Sequence, residues 1–144
     1  MNTTETDLSQ YPFRMLIDVR FGDIDGMGHV NNAMYLTYFE TARAAYYMQL
    51  RGYTNITQID VIIAEITARY HYPAVFGDQL ELGTRVSRMG TKSFDMEYLI
   101  VRRSDQQRIA SGHSVQVMYD YASQRSMPIP DELRAMIRSS QIAE

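Results

Sequence analysis

Residues 33–51, which read AMYLTYFETARAAYYMQLR, predict the one long helix of this protein. The segment has neither glycine nor proline and is rich in alanine, methionine and leucine, which favour helix. Apolar side chains recur on one face at spacings of three and four residues, namely Tyr35, Phe39, Ala42 and Tyr46. The opposite face is also largely apolar, and Gly52 follows as the predicted C-cap. We therefore expect a curved sheet to wrap this helix.

Alternation of apolar and polar residues predicts five strands around the helix. One strand, residues 13–21, precedes the helix, and four follow it at residues 62–72, 80–86, 94–100 and 109–119. Short polar turns separate these later strands, and short turns join antiparallel neighbours. The order predicts an α+β fold in which an antiparallel sheet packs on one main helix.

Composition restricts the class of protein. At 144 residues the chain has the length of one domain, so we expect a flexible N-terminal tail over residues 1–12 and a single domain over residues 13–144. Its 14 Lys and Arg against 17 Asp and Glu give no basic surface for nucleic acid or a membrane. The absence of cysteine excludes disulfides, a thiolate nucleophile and cysteine zinc sites. Without a signal peptide or an apolar span, the sequence predicts a cytoplasmic protein.

The segment between the first strand and the helix, residues 21–32, reads FGDIDGMGHVNN. The start of a helix offers N–H groups without intrahelical acceptors, and these stabilise a developing oxyanion. Asn31 and Asn32 stand at this junction as predicted caps. Asp25 and His29 precede it, so a nucleophile or general base would lie beside an oxyanion site, as acyl transfer requires. The same residues also fit a turn without chemistry, with asparagine caps and a surface histidine.

The run FGDIDGMGHVNNAMYLTYFETAR resembles the signature of hot-dog-fold thioesterases, in particular the acyl-CoA thioesterases of the 4-hydroxybenzoyl-CoA thioesterase-like family. The later segments EITARYHYPAVFGDQLELGTRV, GTKSF and GHSVQVMYDYASQRSMPIPDEL resemble that family's sheet in the same order, so the likeness covers nearly all of residues 13–135. The resemblance implies a strongly curved antiparallel sheet around one long central helix. It also implies homodimers or homotetramers with active sites at the subunit interface, and hydrolysis of a fatty or aromatic acyl-CoA without a cofactor.

The resemblance assigns catalytic roles to three residues of the loop. Asp25 matches the family's catalytic aspartate, acting as nucleophile or general base, and the Asn32 N–H lies where the family polarises the thioester carbonyl. His29 matches a histidine of the HVNN-type thioesterases, including the plant acyl-carrier-protein enzymes, where it is assigned a catalytic part. Those plant enzymes have an asparagine where this chain has Met27, so a plant-type Asp-Asn-His arrangement is incomplete. Asp23 is expected to be a structural loop residue.

Candidate substrate-binding residues lie in two places. Tyr35 on the helix is a candidate for the acyl pocket, although aromatic residues at helical spacing are more often core. Lys92 matches one of the basic residues that hold the CoA phosphates in the hydroxybenzoyl branch. Its basic neighbours there are absent here, which leaves Arg88 as a replacement, and Ser93 completes the candidate set. Taken alone, Arg88 and Lys92 equally fit solvated charges flanking a turn.

Other functions remain open at this stage. The histidines lack metal-ligand spacing, so we expect no metal, with His113 in the core and His71 at the surface. The thioester could be carried by CoA or by acyl carrier protein. A non-catalytic acyl-CoA-binding module would keep the pocket without needing Asp25. A dehydratase or hydratase shares the fold, but that branch has a different acidic motif, which this sequence does not resemble.

Overall fold

The structure is a computed structural model in which residues 8–141 are described. Its strands and helices are, in chain order, β1 (Phe13–Asp18), α1 (Met34–Arg51), β2 (Val61–Tyr70), β3 (Gln79–Met89), β4 (Ser93–Arg102), β5 (Arg108–Asp120), β6 (Arg125–Ser126) and α2 (Asp131–Ser140). Single turns of 3₁₀ helix are formed by Leu8–Gln10, Phe21–Asp23 and Ile56–Gln58. The long helix and the five main strands are thus confirmed, with ends that differ from the prediction by up to three residues.

The strands form one antiparallel sheet in the order β1-β3-β4-β5-β2, with β6 paired to β5. The prediction that consecutive strands are neighbours is wrong for β2 and β3, because β2 lies at the far edge and pairs with β5. Residues 71–78 connect them by passing the start of α1. The Val30 N–H donates to the Ala74 carbonyl at 2.9 Å, and the Val19 N–H donates to the Asp78 carbonyl at 2.9 Å. These bonds direct the chain to β3, beside β1.

Helix α1 packs one face against the inner side of the sheet. The side chains buried from this face are Tyr35, Tyr38, Phe39, Ala42, Tyr46 and Tyr47. The Phe39 ring stacks on Tyr98 with centroids 4.6 Å apart, and both rings are almost fully buried. Burying a side chain such as Phe39 contributes about 2–3 kcal/mol. The helix ends at Gly52 with φ +68°, which confirms the predicted C-cap.

Gly112 on β5 allows Phe39 to approach the sheet. A Cβ atom at Gly112 would lie 2.5 Å from Phe39 Cε2 and 2.9 Å from the Thr67 carbonyl oxygen, closer than atoms can pack. Gly112→Ala is therefore expected to lower the free energy of unfolding by about 1–3 kcal/mol, measured by urea denaturation. Gly22→Ala is the matched control, since a Cβ there meets nothing within 4 Å. Equal losses in both variants would contradict this packing.

The outer side of the sheet is partly covered by the segment before β1. Leu8 and Tyr11 are buried against Leu99 and Val101. A Cβ at Gly83 would lie 2.7 Å from Leu8 Cδ2, so the close approach depends on this glycine. A flexible tail is predicted over residues 1–12, and residues 1–7 of it lie outside the described residues. Its described part packs on the sheet, because Leu8 and Tyr11 have apolar surface there to cover.

Two strand predictions need correction. A bulge between Ile63 and Glu65 shifts the pairing of β2, so Ile66 and Ala68 pack on the core while Ile62 is 42% exposed. The predicted alternation through residues 62–72 therefore changes face within the strand. His113 was expected in the core, but its side chain is 38% exposed on the outer side of the sheet.

Within residues 8–141, no helix has both the length and the apolar character to cross a membrane.

Candidate functional site

Asp23 anchors the loop between β1 and α1. Its carboxylate is 1% exposed and accepts hydrogen bonds from the Arg20 guanidinium at 2.9 Å, the Arg20 N–H at 3.1 Å and the Tyr38 hydroxyl at 2.9 Å. Burial raises the pKa of Asp23, but the hydrogen bonds from Arg20 and Tyr38 outweigh burial and hold this pKa below its ordinary value. The Asp23 carbonyl also accepts from the Asn31 N–H at 2.9 Å. These contacts support the structural role expected of Asp23.

A small hairpin presents Asp25. Ile24 and Val30 form a β-bridge, the Asp25 N–H donates to the His29 carbonyl at 2.9 Å, and the Gly28 N–H donates to the Asp25 carbonyl at 3.0 Å. Gly28 closes the turn at φ +83°, a conformation that favours glycine. The Asp25 Oδ1 atom accepts the Met27 N–H at 2.9 Å. Within the described residues Oδ2 has no hydrogen-bond partner, so it is available to a substrate or water.

The first turn of α1 differs from the prediction. Asn31 accepts the Ala33 N–H on its side chain and the Met34 N–H on its carbonyl, both at 2.9 Å. Ala33 occupies the N-cap position, so the prediction that Asn32 caps the helix is wrong. The turn into the helix is formed by the two hydrogen bonds to Asn31 instead. The Asn32 N–H donates to no acceptor in residues 8–141. The Asn32 carbonyl accepts from the Tyr70 hydroxyl at 2.8 Å, which fixes the adjoining peptide.

These groups line one cavity of about 660 Å³. Its walls consist of Asp25, Met27, His29, Val30, Asn32, Tyr35, Tyr70, His71, Tyr72 and Pro73. The structure thus brings together four predicted site residues, Asp25, His29, Asn32 and Tyr35. Apart from the carboxylate, the imidazoles and the helix start, the walls are mainly aromatic or aliphatic. The cavity suits a largely apolar ligand with one polar reacting group.

Tyr35 is 4% exposed, as expected of a core residue, and it also lines the cavity, so its role in an acyl pocket stays a prediction. Its ring lies 5.9 Å from that of Tyr38 and 5.4 Å from that of Tyr70, measured between centroids. Burial raises the pKa of the Tyr35 hydroxyl, which therefore stays neutral at physiological pH.

Residues 70–73, YHYP, were missed as site residues. The strand pattern placed Tyr70 and Tyr72 on a sheet face, and nothing in it indicates that the end of β2 meets the start of α1. His71 lies at the surface, as expected, with Nε2 2.9 Å from Ser111 Oγ and 3.1 Å from Arg108 Nη2. Burial lowers the pKa of His71, and the positive charges of Arg108 and Arg69 lower it further.

Arg88, Lys92 and Ser93 lie at the turn between β3 and β4, and none of them lines the cavity within the chain. Arg88 Nη1 is 3.4 Å from Asp95 Oδ1, whereas the Lys92 side chain is exposed. Their CoA-binding role stays a prediction, because it would require a second subunit to bring this turn near the cavity. No group of three metal-binding side chains occurs in the part of the chain that the structure describes.

The chain resembles known proteins in sequence. A family model described as "Thioesterase-like superfamily" matches residues 19–137. The chain is 28% identical over 120 residues to the long-chain acyl-CoA thioesterase FadM of Escherichia coli (strain K12), in an alignment that covers 82% of this chain and 91% of FadM. Matches to two further curated relatives cover only 62% and 59% of those proteins.

Solved structures match over most of the chain. A thioesterase from Thermus thermophilus, in complex with coenzyme A and zinc, superposes with a TM-score of 0.81 at 33% identity, covering 91% of this chain and 95% of that one. The gentisyl-coenzyme A thioesterase BH1999 gives a TM-score of 0.75 at 26% identity, covering 87% and 98%. These similarities confirm the hot-dog fold, a curled antiparallel sheet around a central helix.

Proposed function

Because the chain belongs to the thioesterase-like superfamily, we propose that it hydrolyses an acyl-CoA thioester to the free acid and CoA. One observation carries the proposal. A single cavity holds the unpartnered Oδ2 of Asp25, the His29 imidazole and the start of α1, where the Asn32 N–H has no acceptor in residues 8–141. A carboxylate beside a helix start is what thioester hydrolysis needs.

The reaction begins with the thioester carbonyl oxygen at the Asn32 N–H, where the positive end of α1 stabilises the developing oxyanion. In one route Asp25 Oδ2 attacks the carbonyl carbon, the C–S bond breaks and CoA leaves as a thiolate that takes up a proton. Water then hydrolyses the mixed anhydride. In the other route Asp25 removes a proton from a water molecule, which attacks the same carbon; the C–S bond then breaks, and the departing CoA thiolate takes up that proton. In both, His29 orients the water or the carbonyl.

The cavity walls support an apolar acyl group. Tyr35, Tyr70 and Tyr72 supply aromatic surface, and Val30 and Met27 supply aliphatic surface. FadM is named for long-chain acyl-CoA and BH1999 for gentisyl-CoA, so the relatives include both aliphatic and aromatic substrates. The walls of this chain fit either class, and we propose CoA rather than acyl carrier protein as the carrier.

Hydrolysis of a panel of acyl-CoAs tests the function. The panel contains aliphatic chains of increasing length, aromatic acyl-CoAs and the matching acyl-carrier-protein thioesters. Released CoA is measured with a thiol reagent, and the protein gives no background because it has no cysteine. We expect turnover with at least one class of acyl-CoA. If ligands bind but no thioester in the panel is hydrolysed, the proposal fails and the protein is a binding module.

We further propose a homodimer formed through β2. This edge strand spans ten residues, and no strand among residues 8–141 pairs with its outer edge, whereas the opposite edge strand β1 has six residues. It exposes Ile62, Ile63 and Tyr70, and a long apolar edge is a template for pairing with a second copy. Because β2 ends at the cavity, this interface would border the proposed active site.

Light scattering after size exclusion tests the interface. The wild type is expected to elute with the mass of two copies, or of four if dimers associate. Ile63→Lys, in the exposed edge of β2, should shift the mass towards one copy. Leu16→Lys is the matched control, since Leu16 is 48% exposed on β1, and it should leave the mass unchanged. A wild-type mass of one copy, or dissociation by Leu16→Lys alone, contradicts the β2 interface.

A further inference from the structure

A second cavity, of about 410 Å³, opens on the side of the sheet that faces away from α1. Its polar lining comprises Thr67, Arg69, Glu97, Arg108, Ser111 and His113. None of these residues lines the cavity that holds Asp25. His71 lies between the two, because it lines the first cavity and contacts Arg108 and Ser111 of the second.

The acidic groups near the second cavity are already paired. Glu97 Oε2 lies 3.1 Å from Arg85 Nη2, and Asp95 Oδ2 lies 2.9 Å from His113 Nε2. Arg69 and Arg108, by contrast, form no ion pair with any carboxylate among residues 8–141. Two positive charges on this concave surface are therefore not paired with a carboxylate of the described chain, and Glu97 beside them is paired with Arg85.

Arg108 also has an unused donor. Its Nε atom is buried and has no hydrogen-bond partner in the described structure, and leaving a buried donor unpaired costs free energy. Its Nη2 lies 3.1 Å from His71 Nε2. Burial, and after it the positive charges of Arg108 and Arg69, lower the pKa of His71 and favour its neutral form, whose Nε2 can accept from Arg108. The rest of the guanidinium is left for another acceptor, and its planar donors match phosphate oxygens.

We propose that Arg69 and Arg108 form a phosphate-binding site, and that it receives one of the phosphates of the CoA substrate. This inference rests on the proposed function. The location supports it, since Arg108 contacts His71, which lines the cavity in which the thioester would react. The donors of Arg108 that His71 does not use and the uncompensated charge of Arg69 match a phosphoryl group. Free phosphate offers the same chemistry, so the experiments separate the two sources.

Binding is measured first, without turnover, by calorimetry with adenosine 3′,5′-bisphosphate and with inorganic phosphate at constant ionic strength. The wild type is expected to bind the bisphosphate, and Arg69→Gln and Arg108→Gln should each weaken binding about tenfold. Arg14→Gln is the matched control, because it removes the same charge from an exposed position on β1 outside the cavity. Failure to bind either probe, or equal weakening in all three variants, overturns the site.

Kinetics then identify the source of the phosphate. Arg69→Gln and Arg108→Gln should raise KM for acyl-CoA about tenfold with kcat retained, and should leave KM unchanged for the matching acyl-N-acetylcysteamine thioester, which has no phosphate. Variant-sensitive phosphate binding with an unaltered KM for acyl-CoA overturns the assignment to CoA and indicates free phosphate. If the wild type hydrolyses neither thioester, the proposed function fails, and the calorimetry still decides whether the site binds phosphate.

Discussion

Asp25→Asn is expected to lower kcat for acyl-CoA hydrolysis by at least about 100-fold, because the amide can neither attack the thioester nor accept a proton from water. The substitution preserves the turn, since the Asn Oδ1 atom can still accept the Met27 N–H that Asp25 accepts at 2.9 Å. The melting temperature should therefore stay near that of the wild type. Initial rates with released CoA as the readout, together with thermal unfolding, measure both quantities.

The loss of kcat in His29→Ala is compared with the loss in Asp25→Asn. It should lower kcat less than Asp25→Asn does if His29 only orients water or the carbonyl. An undetectable effect would identify His29 as a surface loop residue. An Asp25→Asn enzyme that keeps most of its kcat with a wild-type melting temperature would remove Asp25 from the reaction.

Asp23→Ala is expected to affect stability rather than chemistry directly, lowering the free energy of unfolding by about 2–3 kcal/mol. The variant leaves the Tyr38 hydroxyl and the Arg20 N–H without the carboxylate that they contact at 2.9 and 3.1 Å. The Arg20 guanidinium contributes little to this loss, because it is 73% exposed and water replaces its partner. Urea denaturation at pH 7 measures the effect, and Asp18→Ala, on the exposed face of β1, is the control.

The pH dependence follows from the lowered pKa of Asp23 in the folded protein. A carboxyl group whose pKa is lower in the folded state contributes stability above its unfolded pKa of about 4, and this contribution is lost as pH falls through the folded pKa. The difference between wild type and Asp23→Ala should therefore be largest near neutral pH and shrink below about pH 4. A difference that is constant from pH 7 to pH 3 would show that the charge of Asp23 is not involved.

Local features of the fold could be predicted from the sequence. Helix α1 was predictable because its period, its lack of glycine and proline, and the Gly52 cap all act within a few residues of each other. The proximity of Asp25, His29 and the helix start follows from their closeness in the chain. Hydrophobic alternation likewise located the five main strands, because each strand shows it by itself.

Long-range features could not be predicted. The pairing of β2 with β5 depends on residues 71–78 passing the start of α1, and neither strand carries a signal for that path. The bulge after Ile63 places Ile62 and Ile66 on opposite faces of β2, because one extra residue reverses the alternation between them. Tyr70 lies in the site because residues 71–78, which follow it, pass the start of α1. No pattern in the sequence indicated Arg108 as a site residue. Its Nε atom is buried without a hydrogen-bond partner only in the folded chain, where β2 and β5 lie side by side.

The hydrogen bond from the Tyr70 hydroxyl to the Asn32 carbonyl makes the geometry of the cavity that holds Asp25 depend on the register of β2. If β2 slipped by one residue against β5, Tyr70 would turn to the opposite face of the sheet, and the bond could not form. The geometry of the proposed site thus depends on the correct alignment of the sheet edge. A misaligned chain would be inactive even with every residue of the loop in place.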